Sequence, residues 1–90
     1  MARSVLKRGP GYHLNNIQSG ELGEPSKIQE ECQEFMDAIE QEAEVMALTE
    51  LSDLVGAIRL YLAKHHPSIT LGDLVKMNDI TKRAFENGRR

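Results

Sequence analysis

Apolar residues recur at helical spacing along most of this chain. One apolar stripe lies between residues 26 and 41, a second between residues 47 and 64, and a third begins after residue 70. Intervals of three and four residues are typical of amphipathic helices, whereas strands place apolar residues at every second position. No segment alternates in that way, so the pattern predicts an all-α fold. The first stripe consists of Ile28, Cys32, Phe35 and Ile39, and the second of Leu51, Leu54, Val55, Ile58 and Leu62.

Local signals predict where the first two helices begin and end. Ser26 with Gln29 three residues later predicts a capping box that opens the first helix. The second helix is expected over residues 47–64. It ends at the sequence HHPS, because the residue before a proline avoids the helical region.

The third helix has its own start and stop signals. Thr70 and Asp73 predict a second capping box. The helix is expected to run to about Glu86, with Asn87 and Gly88 closing it.

A turn must separate the first two helices, although the sequence EQEAEVMA contains neither glycine nor proline. One continuous helix over residues 26–64 would be about 58 Å long at ~1.5 Å per residue, which is too long for a small domain. We therefore place a turn at residues 42–45 and predict an antiparallel helical hairpin as the basis of a helical bundle. Residues 26–87 form the helical core of a single domain, 1–90. Residues 1–25 are loop-rich, with one short helix over residues 12–19 closed by Gly20.

Composition narrows the class of protein. Cys32 is the only cysteine, which fits a reducing compartment and excludes a disulfide framework. The first ten residues are basic but lead into no apolar run, so no signal peptide is expected. No apolar stretch approaches the ~20 residues that span a bilayer. These features predict a cytoplasmic protein without a membrane partner.

Charge is distributed unevenly along the chain. The formal net charge is -3, yet residues 27–54 hold nine acids and one base. On a helical wheel at ~100° per residue, Glu31 and Glu34 flank the first apolar stripe. Glu50 and Asp53 flank the second stripe at the same angles from its centre. Glu30 falls opposite the stripe, so we expect it to lie at the surface or behind the four flanking acids.

A hairpin that turns near Glu42 would bring these four flanking acids together. It sets Glu34 level with Glu50, and Glu31 level with Asp53. Crowded, partly buried carboxylates repel one another, and Mg²⁺ with its preference for oxygen ligands would relieve that repulsion. The alternative is that the acids are surface residues, solvated by water along the flanks of the two helices.

Two short motifs in this region resemble a known family. The sequence EECQE followed by ELSD is similar to the EExxE and ExxD signature of the MazG-like, all-α nucleoside triphosphate pyrophosphohydrolases. The segments GELGEPSKIQEE, DAIEQ and ITKRAFENGRR also resemble short, phage-type members. The resemblance covers roughly residues 17–90.

The resemblance implies a fold, an activity and a set of site residues. Members convert a nucleoside triphosphate, with ribose or deoxyribose, to the monophosphate and pyrophosphate. The cofactor is Mg²⁺, with Mn²⁺ as a possible substitute, and the working unit is a homo-oligomer, a dimer or tetramer. If this chain is phage-encoded, it would act in the host cytoplasm. The implied catalytic and metal-binding residues are Glu31, Glu34, Glu50 and Asp53.

Four polar residues are candidates for substrate binding. Lys82 falls on the expected inner face of the third helix with Asn78 close by, where a bound triphosphate could pair with the lysine. Lys82 could equally reach the surface or pair with an acid. Lys27 could contact phosphate, although an i,i+4 pair with Glu31 is the simpler expectation. Arg83 is a weaker candidate and could simply be solvated.

The remaining polar candidates have simpler interpretations. His65 and His66 are not expected to bind a metal, because adjacent residues of a helix do not face one site. Three N-terminal residues could contact the nucleobase if their segment folds over the site: Tyr12, His13 and Asn16.

The third helix also carries apolar residues on two faces. Leu71, Leu74 and Val75 lie on one side, and Met77 and Ile80 lie nearly opposite. A second copy of the chain is the expected cover for the face with Ile80.

Two other functions remain open from the sequence. A phosphoribosyl-ATP pyrophosphohydrolase would have a similar fold and a different substrate. A non-catalytic helical interaction module would keep the fold and need no metal. Direct binding of nucleic acid is not expected.

Overall fold

The structure is a computed structural model, and it describes the backbone of residues 13–86 and the side chains of residues 13–82. Three helices form this part of the chain: α1 over Pro25–Glu40, α2 over Glu44–His65 and α3 over Leu71–Glu86. No strand occurs within these residues, which confirms the all-α prediction. No helix among them is both long enough and apolar enough to span a bilayer.

Helix α1 begins one residue earlier than predicted and without a side-chain cap. Pro25 occupies the first turn, where its fixed φ suits a helix and its missing N–H costs no hydrogen bond. Ser26 Oγ instead accepts a hydrogen bond from the backbone N–H of Glu21, at 3.0 Å. The predicted capping box at Ser26 is therefore wrong, because the hydroxyl anchors the preceding loop.

The turn between α1 and α2 is short and is closed by two backbone hydrogen bonds. The N–H of Ala43 donates to the carbonyl of Ala38 at 3.1 Å, and the N–H of Glu42 donates to Ile39 at 2.9 Å. Glu42 has a φ of 57°, the left-handed conformation that this type of helix end requires. A turn near the predicted position thus forms without glycine or proline, and α2 starts at Glu44, three residues before the predicted start.

Helices α1 and α2 pack side by side and run in opposite directions. The carboxylate of Glu24, just before α1, forms an ion pair with Lys64 and lies 3.2 Å from His65 Nε2, both at the end of α2. Helix α2 ends at His65, just before Pro67, as predicted.

Helix α3 begins with the predicted capping box. The N–H of Thr70 donates to Asp73 Oδ2 at 2.9 Å, and the N–H of Asp73 donates to Thr70 Oγ1 at 3.1 Å. Leu71 and Leu74 are half-buried, but every residue from 75 to 80 is exposed. Within the described residues α3 contacts α2 and does not contact α1. The predicted end at Asn87 and Gly88 lies outside the described residues.

Residues 13–21 form an irregular segment that lies along α1. No helix forms in residues 13–19, so that prediction is wrong for this part, and Tyr12 lies outside the described residues. The backbone N–H groups of Leu14 and Asn15 donate to the Asp37 carboxylate, which holds this segment against α1. Gly20 further along the segment donates to Glu30.

The predicted apolar stripe of α1 is not the buried face. Cys32 and Ile39 are exposed, and Ile28 and Phe35 are only half-buried. The reason is that α2 and the N-terminal segment both pack against the acidic side of α1, while α3 does not reach the apolar side. In the described residues the fully buried apolar side chains are few: Ala38, Ala47, Ala57 and Leu62.

Candidate metal centre

Four carboxylates meet where α1 faces α2. Glu31 and Glu34 lie one turn apart on α1, and Glu50 and Asp53 lie one turn apart on α2. Glu50 is 0% exposed, Glu31 and Glu34 are also buried, and Asp53 is half-buried. The structure thus brings together the four acids that the sequence singled out.

These acids form overlapping groups of possible metal ligands. Within each group, one ligand atom per residue lies within 4.8 Å of the others. One group contains Glu31, Glu50 and Asp53, and a second contains His13, Glu34 and Glu50. Glu50 belongs to both of these groups and so links them. Glu30, Glu31 and Glu34 form a third group along α1.

Glu30 is buried, although the helical wheel points it toward water. Its Oε1 accepts hydrogen bonds from the N–H of Gly20 at 2.8 Å and from Lys27 Nζ at 3.0 Å. Burial raises the pKa of Glu30, but these two donors outweigh it and hold the pKa below its ordinary value. The expectation that Glu30 lies at the surface is wrong, because the N-terminal segment covers this side of α1.

Lys27 supplies a positive charge at the edge of the cluster. Its Nζ lies 3.0 Å from Glu30 Oε1 and 3.3 Å from Glu31 Oε2, which confirms the expected i,i+4 pair with Glu31. Burial lowers the pKa of Lys27, but the hydrogen bonds to the two carboxylates raise it by more, so the side chain stays charged.

Asp37 anchors the N-terminal segment and was missed by the sequence analysis. The Leu14 N–H donates to both carboxylate oxygens, at 3.0 and 2.9 Å. Asn15 donates from its N–H and its Nδ2, and Gln41 donates from Nε2 at 2.7 Å. Burial raises the pKa of Asp37, but these hydrogen bonds outweigh it and lower the pKa overall.

His13 is the second residue of the site that the sequence analysis did not identify as a ligand. Its Nε2 lies 3.9 Å from Glu34 Oε1, and its Nδ1 lies 3.4 Å from Asp37 Oδ1. Asp37 continues the helical spacing of Glu31 and Glu34, and that signal could have identified it. A lone histidine in an irregular segment carries no comparable signal.

The candidates on α3 lie away from this cluster. Asn78 and Lys82 are exposed, which agrees with the second of the two expectations for Lys82, that its side chain reaches the surface. The physical reason is that α3 makes no contact with α1 in the described part of the chain. The side chain of Arg83 lies outside the described residues.

The histidines at the end of α2 have other contacts. His65 pairs with Glu24 at 3.2 Å, and its ring lies 4.8 Å from the Tyr61 ring. The ring of His66 lies 5.7 Å from that of Tyr61. Neither histidine belongs to any of the three ligand groups found among the described residues.

The chemistry of the cluster fits a divalent cation. Ligand atoms bound to one Mg²⁺ at ~2.1 Å lie at most about 4.2 Å apart, so the groups within 4.8 Å need to contract only slightly. Three buried carboxylates side by side repel one another, so a bound divalent ion would stabilise the cluster.

No family model, curated protein or solved structure matches this chain.

Proposed function

We propose that this protein is a Mg²⁺-dependent nucleoside triphosphate pyrophosphohydrolase that converts the triphosphate to the monophosphate and pyrophosphate. The observation that carries the proposal is the meeting of four carboxylates between α1 and α2. The spacing of these acids is that of the EExxE and ExxD motifs, which links the geometry to the resemblance with MazG-like enzymes.

The protein's own residues have separable roles in this proposal. Glu31, Glu34, Glu50 and Asp53 hold the metal and fix its position between two rigid helices. Mg²⁺, when bound, neutralises phosphate oxygens and activates the attacking water. Glu50 is fully buried, so the interior end of the site excludes bulk water. Lys27 is placed to contact phosphate once a cation has replaced it beside Glu31.

The proposed working unit is a homo-oligomer, a dimer or tetramer, in which a second copy completes the bundle. Large apolar side chains are exposed on all three helices, among them Met36, Leu48 and Ile80. Exposed apolar surface of this extent is typical of association sites. In such an assembly the substrate bound at one copy would be contacted by α3 of a neighbouring copy, through Asn78, Lys82 and Arg83.

One alternative is supported by the same exposed surface. A non-catalytic helical interaction module would also expose apolar helix faces, and it would need no metal at the acids. Its melting temperature would not respond to millimolar Mg²⁺, whereas binding to the folded state alone must raise it. The phosphoribosyl-ATP pyrophosphohydrolase alternative differs only in substrate.

The decisive experiment measures pyrophosphate release from canonical and modified nucleoside triphosphates and from phosphoribosyl-ATP, with and without Mg²⁺. We expect Mg²⁺-dependent release from at least one nucleoside triphosphate. Glu50→Gln removes one charge with little change in volume, and we expect it to lower kcat/KM by about 100-fold or more. Glu44→Gln, at an exposed position of the same helix, is the matched control and should keep full activity.

Two results would contradict the proposal. The first is the absence of hydrolysis of any nucleoside triphosphate in the presence of Mg²⁺ or Mn²⁺. The second is an equal loss of activity in Glu44→Gln and Glu50→Gln, since only Glu50 belongs to the cluster.

A further inference from the structure

A histidine from outside both acidic motifs reaches the metal cluster. The side chain of His13 is only 8% exposed, and its Nε2 lies 3.9 Å from Glu34 Oε1. Potential ligand atoms of His13, Glu34 and Glu50 all lie within 4.8 Å of one another. Three separate parts of the chain therefore converge on this point: the N-terminal segment, α1 and α2.

The position of His13 is fixed by its chain neighbours. The N–H groups of Leu14 and Asn15 donate to the buried carboxylate of Asp37 at 2.9 Å. The same carboxylate lies 3.4 Å from His13 Nδ1, on the side of the ring away from Glu34. Metal-binding histidines commonly direct their second nitrogen at a carboxylate, which orients the ring and strengthens the ligand.

We propose that His13 is a metal ligand through Nε2, and that it gives the site a preference for Mn²⁺ over Mg²⁺. The proposal rests on the metal-binding part of the proposed function and extends it beyond the four motif acids. Mg²⁺ favours an all-oxygen shell, whereas a first-row transition ion binds more tightly than Mg²⁺ when one ligand is an imidazole nitrogen. Asp37 is the positioning residue, because it holds the backbone next to His13 and lies beside the His13 ring.

The inference has a direct spectroscopic test that does not need catalysis. One equivalent of Mn²⁺ is added to the purified full chain, and pulsed electron paramagnetic resonance detects nitrogen coupled to the bound ion. We expect ¹⁴N modulation in the unmodified protein and a change to the ¹⁵N pattern when the protein is made with ¹⁵N-histidine. This labelling identifies a histidine without altering the sequence.

Two variants then identify which histidine is bound. His13→Gln should remove the nitrogen signal, while His66→Gln, at an exposed position at the end of α2, should keep it. Calorimetric titration should show that His13→Gln weakens Mn²⁺ binding by about tenfold or more. The change for Mg²⁺ should be smaller, below about threefold, since Mg²⁺ gains little from imidazole.

The outcomes separate this inference from the proposed enzyme activity. Bound Mn²⁺ without histidine nitrogen coupling would overturn the role of His13, even if the protein hydrolyses nucleotides. Failure to bind Mn²⁺ would overturn it as well. Histidine-coupled Mn²⁺ in a protein that hydrolyses no nucleotide would support the inference and contradict the proposed function.

Discussion

At the scale of single residues, the buried carboxylate of Asp37 ties the N-terminal segment to α1. It is 2% exposed and accepts from Leu14, Asn15 and Gln41. Because the pKa of Asp37 is lowered in the folded protein, the unfolded chain binds its proton more readily. Its contribution to stability is therefore complete above the unfolded pKa of about 3.9, and is lost as the pH falls below that value through the folded pKa.

We expect Asp37→Asn to lower the free energy of unfolding by about 1–3 kcal/mol at neutral pH. The difference from the unmodified protein should shrink as the pH falls toward 3, because the unfolded parent then binds a proton at Asp37 that the folded parent does not yet bind. Urea unfolding at several pH values measures this. Asp79→Asn, at an exposed position, is the control. A difference that stays constant over this pH range would refute the role of the charge.

At the scale of elements, the N-terminal segment depends on a close approach at Gly20. A Cβ added there would lie 2.2 Å from the backbone oxygen of Ser26, so the segment would have to move. That movement would break the hydrogen bond from Gly20 to Glu30. Gly56 in α2 is the opposite case, because an added Cβ meets nothing within 4 Å.

We therefore expect opposite effects from two identical substitutions. Gly20→Ala should lower the free energy of unfolding by about 1–3 kcal/mol. It should also speed hydrogen exchange in residues 13–21. Gly56→Ala should raise the free energy of unfolding by about 0.5–1 kcal/mol, since alanine is the better helix former. Chemical denaturation of both variants tests the pair, and a stabilised Gly20→Ala would show that the segment does not lie against α1.

The same elements show why part of the fold could be predicted from the sequence and part could not. Two features depend only on residues that are close in sequence and could therefore be predicted from it. They are the capping box of Thr70 and Asp73 and the end of α2 before Pro67. The meeting of the four acids follows from helical spacing and one turn. The burial of Glu30 depends on an irregular segment whose position no periodic pattern specifies.

At the scale of the whole molecule, the third helix leaves apolar surface uncovered. Met77 is 57% exposed and Ile80 is 77% exposed. Whether such a face is covered depends on contacts between copies, which the periodicity of one chain does not determine. The same holds for the apolar stripe of α1, which the sequence pattern assigned to the core and which the single chain leaves largely open.

We expect Ile80→Asp to convert the proposed oligomer to monomer, because a charge at the interface would lose its water without gaining a partner. Activity should fall with it if α3 of one copy serves the site of another. Light scattering on the purified protein at micromolar concentration measures the assembly. The control is Lys76→Asp, which introduces an aspartate at another exposed position of α3 and should leave the protein oligomeric. A fully active monomeric parent protein would contradict the proposed assembly.

The small apolar core of the described chain affects how stability varies with temperature. Three of its four fully buried apolar side chains are alanines, while five carboxylate side chains are also buried. Exposure of apolar surface raises the heat capacity on unfolding and exposure of polar surface lowers it. The heat-capacity change on unfolding of a single chain should therefore fall below the usual ~12–15 cal/mol/K per residue. The free energy of unfolding would then change little with temperature, so cooling would weaken the fold only slightly. A more strongly curved dependence on temperature would indicate apolar surface buried between copies.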